Sequence, residues 1–498
     1  MYLLGYDIGS SSIKATLIDA DSGNVEATIQ SPDKEMAIQS LHSGWAEQDP
    51  EMWWEHVIVV TRRIIQETGA DPELIAAIGI SYQMHGLVVV DKNQHVLRPS
   101  IIWCDGRAVS IGEQALSELG EDYCLQHFLN SPGNFTASKL KWVKDNEPDV
   151  YSKIDKIMLP GDYIAMKLTG EVKTSESGLS EGIMWDYTQK GLAGSLLNHY
   201  GISEELIPEA VPNFSVQGQV SISAAEELGL STKTKIAYRA GDQPNNALSL
   251  NVLEPGEAAA TAGTSGVIYG IIDKPLYDPK SRVNTFIHVN HSDEHPRYGV
   301  LLCVNGTGIQ NSWIKNQLLD KSGISYDDMN KLASQAPVGS DKLVVLPFGN
   351  GPERSLQNED IGGHIRGLNF NRHNTAHLLR AAQEGIAFAL NYGLKVMKEM
   401  GLTIETIRVG KTNMFLSPIF QDAFTNTTQA VVELYHTLGS QGAAIGAGLG
   451  AGIYKNRNQA FSGLEKVRTI EPDRDLAQQY ADAYEYWEES LKTLITKH

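Results

Sequence analysis

Apolar positions alternate or run unbroken through Tyr2–Ile8, Ile13–Asp19 and Asn24–Gln30. Small polar residues separate these runs at Gly9-Ser10-Ser11 and Asp21-Ser22-Gly23. Such patterning, bounded by turn residues, predicts three strands joined by tight turns. The same strand–turn–strand pattern returns at Glu257–Ile272, around Ala262-Gly263-Thr264-Ser265-Gly266. Two hairpins of one kind, each opening one half of the chain, predict an internal duplication. In the first half, Asp49 is the predicted N-cap of a helix with Pro50 at its first position and a helical pattern over Trp53–Ile65. Leu74–Tyr82 reads as a helix end and a buried strand, IAAIGIS, that delivers Gln83-Met84-His85-Gly86 to a loop, and Leu87–Asp91 reads as the next strand. Asp122–Leu197 alternates short helices and loops and declares no chemistry. Ile202–Thr234 reads as a connecting region of modest helical content. Ile236–Gly241 is a strand end, and Pro244–Leu250 forms the first turns of a helix.

In the second half, Gly306-Thr307-Gly308 enters a helix and Leu346–Pro352 is a Gly/Pro-rich turn. A long amphipathic helix runs from Asn374 to about Met400, Thr406–Val409 is a short strand, and Asp473–His498 is a charged amphipathic helix. Gly410-Lys411-Thr412-Asn413 is no P-loop, because Glu405 stands where that motif requires its first glycine. The run GAAIGAGLGAG places Gly448, Gly450 and Gly452 at Gly-x-Gly spacing. No strand is predicted to run directly into it, so it reads as a tightly packed small-residue helix.

Composition narrows the functional classes. The chain has 498 residues, enough for two or three domains at about 100–200 residues each. A hydrophobic content of 42% with 20% charged residues supports ordinary globular cores. A formal net charge of −19 argues against a nucleic-acid surface. An anionic ligand must therefore be held locally, by backbone N–H groups or a metal. Cys104, Cys124 and Cys303 are scattered, with no Cys-x-x-Cys, and suggest neither a disulfide framework nor a zinc site. Strand-like sequence begins at once, without a signal-peptide pattern, and no apolar run approaches the ~18 residues of a membrane span. The expectation is a soluble, cytoplasmic protein with no membrane partner.

Four places carry candidate chemistry. Asp7 ends the first strand, and Gly9, Ser10 and Ser11 follow with backbone and hydroxyl donors in a row. That turn suits a nucleotide phosphate, with Asp7 holding Mg²⁺ through water, although an ordinary polar hairpin has the same pattern. Asp242 sits at a strand-to-helix junction, as an N-cap or as a general base toward a hydroxyl. His85, at a strand end before Gly86, is a satisfied structural histidine or a ligand for a sugar hydroxyl. Trp103, Asp105 and Arg107 form either a polyol-reading surface or a solvated turn with a local ion pair.

The segments DIGSSSIK, GWAEQDPEMWW, QMHG, WCDGR, LPGDYI, GDQPNNA, AGTSG and GAAIGAGLGAG occur in an order and spacing that resemble the FGGY family of carbohydrate kinases. The resemblance covers nearly the whole chain and is strongest to the xylulose-phosphorylating branch. It implies an α/β architecture of two actin-like ATPase (ribonuclease H-like) domains, residues 1–245 and 246–498, with the active site in a cleft between them. The first would bind sugar and end with the base; the second would bind nucleotide. The implied activity transfers the γ-phosphate of ATP, with Mg²⁺, to the terminal hydroxyl of D-xylulose. Ribulose, fuculose, gluconate or glycerol are the alternative substrates, and a non-catalytic actin-like module is the alternative of another class. By the same resemblance Asp242 is the catalytic base and Asp7 the magnesium-associated aspartate. Ser10, Ser11, Gly263 and Thr264 lie on the phosphate turns, Met84 and His85 bind substrate, and Trp103, Asp105 and Arg107 form the neighbouring substrate loop. Gln243 would touch the sugar, Asn413 would reach the adenine or ribose, and a homodimer is expected. The chain departs from the family pattern at Gly410-Lys411-Thr412-Asn413, where a Gly-Gly-Gly-Ala adenosine loop is common. It departs again at Gln243-Pro244-Asn245-Asn246, where a Gly/Ala-rich run is common.

Overall fold

The computed structural model describes residues 1–319, 323–351 and 353–495. Two mixed β-sheets dominate it. The first contains β1 (Tyr2–Ile8), β2 (Ile13–Asp19), β3 (Val25–Ser31), β4 (Ile75–Tyr82), β5 (Phe214–Gln219) and β6 (Lys235–Gly241), in the order β5-β6-β4-β1-β2-β3. The second contains β7 (Glu257–Ala262), β8 (Gly266–Ile272), β9 (Asn284–Ile287), β10 (Tyr298–Val304), β11 (Thr406–Gly410), β12 (Val431–His436) and β13 (Glu465–Ile470), in the order β9-β10-β8-β7-β11-β12-β13.

The duplication expected from the two hairpins extends to the sheets. β1 and β2 are antiparallel, β1 and β4 parallel, β4 and β6 parallel, and β6 and β5 antiparallel. The same sequence of directions relates β7 to β8, β7 to β11, β11 to β12, and β12 to β13. Only β9 has no counterpart. Contacts gather the chain into two compact units, one comprising 1–251, 286–298 and 437–464, the other 252–285, 299–436 and 465–498.

Local chemistry accounts for the elements that hold the first unit together. In α1 (Pro50–Thr68), Asp49 accepts from the Glu51 N–H as N-cap, Pro50 opens the helix, and left-handed Gly69 ends it. Trp53, Val57, Val60 and Ile64 recur every three or four residues and are buried among Tyr6, Ile8 and Ile80 of the sheet. In the second unit, the helix Thr375–Glu399 is capped by Asn374, whose side chain accepts from Ala376 and His377.

Several expectations need correction. The region 202–234 contributes β5, an edge strand of the first sheet. Its sequence FSVQGQ alternates weakly because one side of an edge strand faces water. Within Leu346–Pro352, residues up to Phe348 belong to a strand, Val344–Phe348, paired with Gly362–Arg366. Pro347 is tolerated there because that ladder has two strands, hence only edges; Pro352 lies outside the described residues. The small-residue run does form a helix, α2 (Gly439–Gly450), but β12 ends at His436, with only two residues between them. A strand therefore does lead into that helix. The final helix is Arg474–Ile495, and 496–498 lie outside the described residues. Among the described residues no helix is long and apolar enough to cross a membrane.

Candidate active site

The parallel strands β1, β4 and β6 end side by side, and their ends carry the candidate chemistry. Asp7 pairs with Ser81 across the β1–β4 ladder, and the Ser81 hydroxyl donates to Asp7 Oδ1 at 3.0 Å. Burial raises the Asp7 carboxyl above its ordinary range, partly offset by the Lys14 charge and the Ser81 hydrogen bond. Gly439, the first residue of α2, lies against this carboxylate: a Cβ there would be 2.8 Å from Asp7 Oδ2.

β6 delivers the second carboxylate. The N-cap position of the following helix (Asp242–Ser249) is taken by Gly241, so Asp242 is its first helical residue. The N-cap reading of Asp242 therefore fails. Burial and the nearby Asp7 charge push Asp242 up to about 7, against partial relief from Gln243. Gln243 follows in the same first turn and is half-buried.

The other predicted residues of this unit divide into two groups. Ser10 and Ser11 follow β1; the half-buried Ser10 is fixed by the Gln48 amide, which donates to its carbonyl at 2.6 Å. The turn is closed by the Gly9 N–H donating to Ser12 O. Trp103 is 44% exposed, and its indole N–H reaches Ser10 Oγ at 3.3 Å, which brings the WCDGR loop beside the Gly9-Ser10-Ser11 turn. Met84 is buried with its side chain under Gly241, where a Cβ would lie 2.6 Å from Met84 Cγ. His85 adopts the left-handed region at φ 59°. Its N–H donates to Glu181 Oε1 at 3.3 Å, and its Nδ1 lies 2.9 Å from the Glu181 carbonyl. A carbonyl only accepts, so Nδ1 carries a proton; when the ring is neutral, Nε2 is then its acceptor.

Asp105 and Arg107 are the exceptions. Asp105 has no exposed surface, and its carboxylate accepts from the Ala46 N–H, the Arg107 N–H and the Arg107 guanidinium. The guanidinium also pairs with Glu47 at 2.6 Å and lies 3.8 Å over the Trp45 ring. Both side chains are consumed by a buried network: the local ion pair is present, but neither a polyol-reading surface nor a solvated turn describes it. They brace the loop that presents Trp103.

In the second unit, Gly263 and Thr264 form the β7–β8 turn, and Asn413 adopts φ 52° after β11. A Cβ on Gly263 would lie 3.4 Å from Asn413 Nδ2, so these three predicted residues belong to one neighbourhood. The carbonyls of Gly263 and Thr264 accept from Gly308 and Ile309, which seats the helix Gly308–Trp313 on the turn.

Sequence reasoning missed three residues. Gly439 precedes the small-residue run, which starts at Gly442, and no motif singles it out. Lys139 and Glu181 stand in short helices that mix buried and solvent-facing polar residues, and no local pattern marks them as buried. Lys139 has no exposed surface and donates from Nζ to the carbonyls of His85 at 2.8 Å and Ile102 at 2.9 Å. Glu181 is buried, and burial pushes its carboxyl well above the ordinary range, reinforced by Asp242 and Asp162.

Comparison with known proteins also divides the chain near residue 250. The N-terminal domain of the FGGY family of carbohydrate kinases matches residues 2–249, and its C-terminal domain matches residues 258–450. The chain belongs to the FGGY family of carbohydrate kinases. It is 27% identical to a xylulose kinase of Bacillus subtilis, over 98% of this chain and 96% of that one. A crystal structure of xylulose kinase from Rhodospirillum rubrum superposes with a TM-score of 0.87 at 26% identity, covering 99% of both chains. A gluconate kinase from Lactobacillus acidophilus superposes with a TM-score of 0.90 at 23% identity, over 99% of this chain and 98% of that one, and shares the fold alone. The chain is thus a two-domain α/β carbohydrate kinase of the actin-like type.

Proposed function

We propose that this FGGY kinase phosphorylates the terminal hydroxyl of D-xylulose with MgATP, giving D-xylulose 5-phosphate and ADP, with Asp242 as general base. The sugar and the base belong to residues 1–245 and the nucleotide to 246–498. The observation that carries this reading is the approach of Asp242 to Asp7 at the ends of β6 and β1, the two strands that flank β4, near enough for one charge to raise the other carboxyl, beside Trp103, Met84 and His85. The relatives named xylulose kinase support the choice of sugar.

Phosphoryl transfer needs positioning and charge neutralisation more than covalent help. The sugar oxygen forms its bond to the γ-phosphorus as the bond to the β-phosphate oxygen breaks and ADP leaves with the electron pair. Asp242 takes the hydroxyl proton as that bond forms; a carboxylate raised to about 7 is better matched to this than an ordinary one. His85 Nε2 accepts from a second sugar hydroxyl, and Trp103 covers an apolar face of the ligand.

Magnesium fits the donor set. Among the described residues no cluster of three or more His, Cys, Asp or Glu side chains could hold a metal alone. Mg²⁺ usually takes only one or two carboxylates, completing its shell with water and phosphate oxygens. Asp7, buried beside a second carboxylate, would hold it with Asp242 nearby. When bound, the ion neutralises charge on the phosphates.

A coupled ADP-release assay with MgATP tests the reading against D-xylulose, D- and L-ribulose, L-fuculose, gluconate and glycerol, with a no-sugar control. The highest kcat/KM is expected for D-xylulose; a preference for another sugar retires the assignment of Met84 and His85 to a ketopentose. Asp7→Asn is expected to lower kcat at least about 100-fold, since it removes a charge that holds the metal. It should also raise the Mg²⁺ concentration needed for half-maximal turnover. Unchanged metal dependence would remove Asp7 from this role.

A further inference from the structure

We propose that Lys139 is a positioning residue for the sugar subsite: its buried ammonium ties the carbonyls of His85 and Ile102 and so fixes the separation of the loops that carry His85 and Trp103. This inference rests on the sugar-kinase reading above.

Lys139 lies on the helix Thr136–Asn146, with Ala137, Leu140 and Val143 buried on the same element. A packing role at this position would be filled by leucine or methionine without desolvating a charge. Burial pushes the Lys139 ammonium down to about 7, and the Asp105 charge offsets only part of that. The recorded side-chain hydrogen bonds of Nζ run to two backbone carbonyls from two different loops. The same two loops are also bridged at Leu87–Ile101, two residues after His85 and one before Ile102.

The hold on His85 is specific. This non-glycine residue sits at φ 59°, a conformation of appreciable cost that persists only where its surroundings impose it. Glu181 fixes its N–H and its Nδ1, and Lys139 fixes its carbonyl. Together they set both the peptide and the ring orientation, with Phe135 at 4.8 Å and Phe286 at 5.5 Å between ring centroids. At the other end, Ile102 immediately precedes Trp103. One ammonium therefore sets the distance between a hydrogen-bonding residue and an aromatic one, on which a polyol of defined length depends.

The test is steady-state kinetics on Lys139→Met and Lys139→Arg, varying sugar and ATP separately, with thermal melts alongside. For Lys139→Met the KM for the sugar is expected to rise about ten- to a hundredfold, as small displacements of binding groups can cost that much. The KM for ATP should stay within about twofold. Lys139→Arg, which keeps charge and donors, should restore part of the sugar affinity. A sugar KM within about twofold of wild type overturns the proposal, and so does a parallel change in both KM values that tracks a lowered Tm. Should Lys139→Met not fold, Lys139→Gln, which keeps amide donors without a buried charge, decides by the same ratio. A wild-type enzyme active on a sugar other than D-xylulose retires only the sugar's identity, and the ratio is then measured with that sugar. A wild type inert toward every sugar overturns both readings.

Discussion

Replacing Asp242 with Asn is expected to lower kcat by about 10²–10⁴-fold, the range a positioned general base contributes. Sugar and ATP binding, measured calorimetrically, should change little, because Asn keeps the shape and the helical position after Gly241. Stability should move the other way. The carboxyl is raised from 3.8 to about 7 by burial and the Asp7 charge. The folded protein therefore holds a proton that the unfolded chain has lost between roughly pH 4 and 7, and wild-type stability falls as pH rises through that window. The penalty is complete above pH 7 and absent below pH 4. In EDTA without nucleotide, the Asn protein should melt higher than wild type at pH 8 and equally at pH 4. A near-wild-type kcat would remove Asp242 from the role of base; a lower Tm at pH 8 would show that its carboxylate is favourably paired.

The contrast between Asp242 and Lys139 shows what can be read from a sequence. Asp242 sits at a junction that the chain itself announces: apolar β6, then Gly241, then a helical pattern. β1 and β2 were legible to the residue, and β7 and β8 to within one residue of their turn, because both hairpins are apolar runs that close on Gly/Ser/Thr turns. Lys139 shares its helix with Lys141 and Lys144, and nothing local tells the buried lysine from the others. Only the arrival of two loops, from residues 85 and 102, creates the acceptors that make its burial tolerable. The same blindness acted in reverse on Asp105 and Arg107. Beside Trp103 they looked ligand-facing, but Glu47, Trp45 and Ala46, more than fifty residues earlier, had already claimed them. β5 and the strand Val344–Phe348 escaped because edge strands tolerate polar residues, glycine and proline, which locally signal turns. Sequence pattern thus located the candidate chemical groups better than the groups that hold them.

Substitution of Gly79 by Val is expected to abolish soluble, folded protein, and Gly79→Ala to lower stability by at least the ~1–3 kcal/mol typical of overpacking. Gly5 and Gly79 face each other across the parallel β1–β4 ladder, and α2 lies directly on them. A Cβ on Gly79 would stand 1.9 Å from the Ala443 carbonyl oxygen, and one on Gly5 would stand 1.9 Å from that of Ser440. Both obstacles are backbone, so no rotamer change relieves them. The helix answers with its own small residues: Gly446 rests on the Tyr238 ring, and Gly450 rests on the Ala237 carbonyl at 1.8 Å from where a Cβ would be. Helix and sheet are thereby closer than any side chain would permit. On the proposed role of Asp7 that approach also matters to function, because the first residue of α2 is Gly439, which lies against the Asp7 carboxylate. Lifting α2 off the sheet moves it from Asp7, so Gly79→Ala should lose activity beyond the fraction of protein unfolded. Gly191→Ala is the control: the nearest atom to a Cβ there is 4.0 Å away, and its effect should stay within about 0.5 kcal/mol. Chemical denaturation of both proteins, with activity normalised to folded fraction, decides the matter. A Gly79→Ala protein as stable and active as the control would mean that the helix yields without cost.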